Sequence, residues 1–214
     1  MAEAKKRRVI EHRIISIKML KAKQYDTIDL GHYNELFGLI QSKFIIMLYG
    51  PPGSGKSVYA LQLAEEITKH GKLLYNSHEE RDRKTIQDRA IKFNINSPKI
   101  ALGVSLPFDV MIQKIKSNHY SYLVIDSIQY MQFTYEQLQQ LIETFKRKKK
   151  FGIILVSFGD VEDKPRGAID HLHAADVKCY FKNGRVSIKS RYMDRPTHKT
   201  LFIPAKVNQH PTLF

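Results

Sequence analysis

The run FIIMLYG (44–50), GPPGSGKS (50–57) and SVYALQLAEEITKHG (57–71) decides the fold. The first piece is a continuous apolar stretch ending in glycine, the pattern of a strand buried on both faces of a parallel sheet. The last piece carries apolar residues at helical spacing and stops at Gly71. Between them, Gly50, Pro51, Pro52, Gly53, Ser54, Gly55, Lys56 and Ser57 satisfy G-x-x-x-x-G-K-S/T in full. Strand, loop and helix are therefore in the order that a phosphate-binding loop requires. Its glycines reach positive φ and expose backbone N–H groups, and the helix N-terminus adds a favourable dipole. Lys56 is expected to reach the β- and γ-phosphates of ATP, and Ser57 to hold Mg2+.

Working outward, strand and helix patterns alternate. KLLYNS (72–77), KIALGV (99–104), YSYLVID (120–126) and FGIILVSF (151–158) read as strands. RKTIQDRAIKFN (83–94), PFDVMIQKIKSN (107–118) and YEQLQQLIETFKRKKK (135–150) read as helices. This rhythm predicts an α/β fold, a mostly parallel twisted sheet with helices on both faces. The end of the chain differs. DVKCYF (176–181) and RVSIKS (185–190), joined through Asn183-Gly184, predict an antiparallel C-terminal edge hairpin, and TLFIPA (200–205) one more strand. The expected organisation is a basic arm or docking helix over 1–30, an ATPase domain over 31–205 and a tail over 206–214.

Two carboxylate positions follow from the strands. Asp126 ends an apolar strand, where it would sit at the C-terminal edge of the sheet and bind Mg2+; an ordinary strand-end Asp capping a turn is the bland alternative. Glu79 and Glu80 follow KLLYNS, at the end of what is expected to be the strand beside the loop. There a carboxylate could polarise water, or merely form a solvated acidic turn.

The chain of 214 residues has 35 basic and 21 acidic side chains, a formal net charge of +14. Such an excess favours a polyanionic partner. With a single cysteine, Cys179, no internal disulfide can form, and a reducing, cytoplasmic location is expected. No apolar run approaches membrane-spanning length, and the basic start MAEAKKRRVIEHR lacks the apolar region of a secretory signal. KKRR (5–8) is a nuclear address, a phosphate contact or a solvated tail. KRKKK (146–150) is a phosphate patch or a helix end that welcomes cations. His171 and His173, two apart, diverge on a helix and oppose each other on a strand, which argues against a shared metal.

Together these residues resemble the RecA superfamily of ATPase cores, most of all bacterial RadA (Sms), then DnaB-type replicative helicases. Five stretches carry the likeness: GPPGSGKS, LYNSHEERDRKTIQDRA (74–90), VIDSIQ (124–129), KPRGAIDHLHAADVKCYF (164–181) and IKSRYMDRPTHKTLF (188–202). The resemblance implies a RecA-like P-loop NTPase fold, Glu79 as catalytic base with Glu80 as the fallback, and ATP with Mg2+ as cofactors. It implies a homo-oligomer, a hexameric ring or a filament. Lys189 and Arg191 would then reach the γ-phosphate held by a neighbouring subunit. On a strand these two cations would leave from one face, which by itself suits an anionic partner or an edge that discourages pairing. The loops QYMQFT (129–134) and GDVEDKPRGA (159–168) would face single-stranded DNA. Lys164 and Arg166 would contact phosphates, while Tyr130 and Phe133 either stack on bases or, as is commoner, pack. The implied setting is recombination, strand annealing or replication-fork processing. A KaiC-like signalling or assembly ATPase without nucleic acid is the alternative. Two departures stand out. Phe158 occupies the place of the usual polar γ-phosphate sensor, and Met193 that of a glycine.

Overall fold

The computed structural model describes residues 14–159 and 164–201. A short helix α1 (Ile17–Ala22) buries none of its side chains. The chain then turns into the body, where Ile28 and Leu30 are already core residues, and a single helical turn, α2 (Asn34–Phe37), inserts Phe37. From there the expected alternation unfolds: β1 (Lys43–Gly50), α3 (Lys56–Ile67), β2 (Leu73–Ser77), α4 (Lys84–Lys92), β3 (Ile100–Val104), α5 (Phe108–Ser117) and β4 (Tyr122–Asp126). Then come α6 (Ile128–Met131), α7 (Tyr135–Phe145), β5 (Phe151–Phe158), α8 (Ile169–Ala174), β6 (Val177–Lys182), β7 (Arg185–Ser190) and β8 (Thr197–Thr200).

The strands form one sheet of eight in the order β3-β2-β4-β5-β1-β6-β7-β8. The first six run parallel, and β7 is antiparallel to both of its neighbours, β6 and β8. Successive residues of β1 serve opposite faces. Ile46 and Leu48 join a core with α3, Tyr75 and Val124, whereas Met47 joins one with α5 and α7 through Met111, Leu138 and Leu141. Burial on both faces is why the strand sequences read as unbroken apolar runs.

The hairpin turn is where the sequence put it. Asn183 and Gly184 both have positive φ, 50° and 71°, as a two-residue hairpin connection needs. Three boundaries moved. The helix read over 57–71 ends at Ile67, and the helix read over 135–150 ends at Phe145, so KRKKK forms a turn and not a helix end. The last strand is Thr197–Thr200; most of the expected 200–205 segment lies outside the described residues.

Candidate functional site

The phosphate loop leaves β1 where Gly50 lies beside Phe158 of β5. A Cβ on Gly50 would stand 2.2 Å from the Phe181 carbonyl oxygen on the other flanking strand, so only glycine fits there. Gly55, at φ 97°, turns the chain into α3. Lys56 is buried, and its ammonium donates to the carbonyls of Gly50 (2.9 Å) and Pro51 (2.7 Å). Burial lowers its pKa, and the nearby charges of Glu79 and Asp126 oppose that. The Phe158 ring centroid lies 5.7 Å from the same ammonium.

Asp126 ends β4 and is almost wholly buried. Tyr75 of β2 donates its hydroxyl to one carboxylate oxygen at 2.6 Å, while the other, Oδ1, has no hydrogen-bond partner. Burial raises this carboxyl above its usual range; the Tyr75 and Ser57 hydroxyls draw it back down. A buried carboxylate oxygen without a donor, beside a serine hydroxyl at the start of α3, offers the hard oxygen ligands that Mg2+ takes. Among the described residues, no group of three or more His, Cys, Asp or Glu is placed to hold a metal ion. The donors here are thus a mixed hydroxyl and carboxylate pair, Ser57 and Asp126, which fits a cation that keeps most of its own water.

Glu79 was expected on the strand next to the loop. The sheet order corrects this, since β4 and β5 separate β2 from β1. Glu79 nevertheless lines the same cavity as the loop, because the N–H groups of His78 and Glu79 bond the Asp126 carbonyl at 2.6 and 3.2 Å. Its carboxyl is raised by burial and by the charges of Asp126 and Glu80, and lowered by Lys56 and Arg89. Glu80 differs: it forms an ion pair with Arg89 of α4. The cavity measures about 830 Å3, ample for a nucleotide, and runs from Ser57 and Glu79 along α3 to His32 and Lys199.

The remaining sequence candidates are dispersed. Lys189 lies on β7 across from Lys178. Arg191 falls just beyond β7, so the expected pair on one strand face is not formed; its guanidinium bonds Asp176 Oδ1 (3.1 Å) and the His173 carbonyl (3.0 Å). Arg191 is level with Asp176, which bonds Ile45 near the start of β1. Five strand residues, or about 16 Å, separate that level from Gly50. Lys164 and Arg166 are exposed, and Arg166 donates its N–H to the Phe158 carbonyl at 2.8 Å. Phe133 is buried, as packing predicts, whereas Tyr130 is exposed with its ring edge-on to Phe158 at 5.5 Å. KRKKK sits at the opposite end of β5, where Lys146 pairs with Glu143 and Lys148 donates to the Tyr120 carbonyl. His171 is buried between Phe133 and Tyr135 while His173 is exposed, so the two do diverge on α8.

Tyr75 and Arg89 are site residues that the sequence did not single out. Tyr75 reads as one more apolar strand residue. Arg89 lies in the second stretch of resemblance, 74–90, which was the available signal.

A phosphate loop on a central parallel strand, with Asp126 at the end of another, defines a P-loop ATPase core of RecA-like fold. The chain belongs to the AAA domain family, whose model matches residues 40–163. It is 31% identical over 128 residues to the DNA repair protein RadA of Campylobacter jejuni, covering 54% of this chain and 28% of that protein. To RadA of Aquifex aeolicus it is 32% identical over 92 residues, 43% of this chain and 20% of the relative. The chain thus spans about a quarter of the curated relatives it matches. Among solved structures, a KaiC-like protein of Pyrococcus horikoshii superposes with TM-score 0.55 at 19% identity, covering 83% of this chain and 93% of that one. Flagellar accessory protein FlaH of Methanocaldococcus jannaschii gives 0.54 at 15%, covering 78% and 87%. No helix among the described residues is long and apolar enough to cross a membrane.

Proposed function

We propose that the chain hydrolyses ATP with Mg2+, using Glu79 to polarise the attacking water, and that it acts on single-stranded DNA as an oligomer. The observation that carries the chemistry is the inequality of the two glutamates. Both line the cavity, but Glu80 is paired with Arg89, while the Glu79 carboxyl is raised by burial and by the charge of Asp126, as suits a base. Mg2+, held by Ser57 and Asp126, would neutralise charge developing on the phosphates. Lys56 would exchange the carbonyls of Gly50 and Pro51 for phosphate oxygens, a short movement of one ammonium.

Arg191 is level with the start of β1 and Lys189, opposite Lys178, with Met47, so both stand away from their own loop. A role at the γ-phosphate therefore requires a neighbouring subunit, and a ring or filament supplies one. Lys164 and Arg166 carry the proposed DNA contact, supported by the +14 charge and the partial likeness to RadA. The setting would be recombination, annealing or replication-fork processing in the cytoplasm. A KaiC-like signalling role is the second reading, favoured by the fold match to a KaiC-like protein.

Fluorescence anisotropy of a labelled oligonucleotide against salt, with and without ATP, separates the two. Replacing Lys164 and Arg166 with Ala should weaken binding for all sequences alike. It should flatten the slope of log affinity against log salt by about 1.4, two phosphates' worth on a single strand. An unchanged slope would move the contact elsewhere, and no binding by the wild type at low salt would favour signalling.

A further inference from the structure

Phe158, in the place of a polar sensor, leaves open how the nucleotide site and the segment carrying Lys164 and Arg166 communicate. The hydrogen bonds supply a route. The Gly50 carbonyl accepts from two donors, the Lys56 ammonium at 2.9 Å and the Gly159 N–H at 2.8 Å. Gly159 also bridges to Pro165, and the Phe158 carbonyl accepts from the Arg166 N–H, so these residues form a closed neck. Gln129, in α6 just past Asp126, fastens that neck with every group of its amide. Its oxygen accepts from the Phe158 N–H (3.2 Å), and its nitrogen donates to Ser157 Oγ (2.7 Å) and to the Arg166 carbonyl (2.8 Å).

We propose that Gln129 is a positioning residue that couples the state of the phosphate loop to the neck formed by Phe158, Gly159, Pro165 and Arg166. Phosphate binding draws Lys56 off the Gly50 carbonyl, leaving Gly159 as that carbonyl's remaining donor, and the Phe158 ring loses the ammonium beside it. The strand end adjusts, and the rigid three-point amide transmits the adjustment to Arg166 instead of letting the neck absorb it. A coupling needs such a contiguous set of contacts with two arrangements, and here the two are set by where Lys56 points. The idea rests on ATP binding at the phosphate loop and not on the nucleic-acid reading, so each can fail without the other.

Amide hydrogen exchange at Gly159 and Arg166 tests it, in the full chain with Mg2+ and a slowly hydrolysed ATP analogue. The Gly159 amide is bonded to the Gly50 carbonyl and the Arg166 amide to the Phe158 carbonyl, so their exchange reports opening at the phosphate-loop side and within the neck respectively. In the wild type the analogue should change exchange at both by about tenfold, a coupling of ordinary size. Gln129→Glu keeps an acceptor for the Phe158 N–H but has no donor for the Arg166 carbonyl. Gln129→Met keeps the length and removes every bond. Both should bind the analogue within about twofold of the wild type. Gln129→Glu should lose the response at Arg166 and keep it at Gly159, and Gln129→Met should lose the Arg166 response as well. No response in the wild type, or an Arg166 response undiminished in both variants, would overturn the proposal. Analogue affinity serves as the check on folding.

Discussion

Removing one oxygen atom from Tyr75 should measurably destabilise the protein. Its hydroxyl donates to Asp126 at 2.6 Å, with Tyr75 fully buried and Asp126 4% exposed, so solvent screens almost nothing. A hydrogen bond to a charged group contributes about 1.5–3 kcal/mol, and Tyr75→Phe keeps the ring's packing while deleting the donor. The second carboxylate oxygen already has no partner, so the charge would be left with less support still. We expect a loss of about 2 kcal/mol at neutral pH, which for a chain of this size lowers Tm by roughly 4–8 °C. The pH dependence gives the sign. Burial raises the Asp126 pKa and the Tyr75 bond opposes that, so the variant's carboxyl titrates higher still. The deficit is therefore full above both folded pKa values. It shrinks as pH falls through them and both proteins protonate. Urea denaturation across pH measures it. A loss below about 0.5 kcal/mol at neutral pH, or a deficit that grows on acidification, would refute the reasoning.

Two further outcomes follow. Mixing Lys56→Ala with Arg191→Ala should restore about a quarter of wild-type hydrolysis, since half the interfaces carry a sound loop and half of those a sound cation from the neighbour. Lys189→Ala should serve equally, which guards against the loss of Arg191's bond to Asp176; no recovery despite subunit exchange would remove the trans role. His171→Phe suits the aromatic neighbours Phe133 and Tyr135 and removes a ring whose pKa burial lowers against Thr134, Asp170 and Glu136. A lowered His pKa means stability is lost as pH falls through the ordinary histidine range, so the variant should lose less there; equal pH profiles in denaturation would contradict this.

The parallel core was legible because strands buried on both faces leave no polar residue to blur the pattern, as FGIILVSF shows. The phosphate loop was legible because its glycines have few substitutes. Sheet order was not: nothing in KLLYNS or YSYLVID states that β4 and β5 lie between β2 and β1. The short helices α6 and α8, of four and six residues, give too little periodicity to see. Tyr75 was hidden because one hydroxyl on a buried strand looks like packing. Arg191 was misplaced by one residue at a strand end, where Asp176, distant by 15 residues, captures its charge.

The central claim is that Glu79, and not its neighbour, drives hydrolysis at this phosphate loop. Steady-state ATP turnover of Glu79→Gln and Glu80→Gln, each with ATP affinity measured in parallel, tests it most directly. Glu79→Gln should bind ATP and lose about 10²–10⁴-fold in rate, as removal of a general base does. Glu80→Gln should keep most of its turnover, because its role is to engage Arg89. The reverse result, or full turnover in Glu79→Gln, would contradict the account.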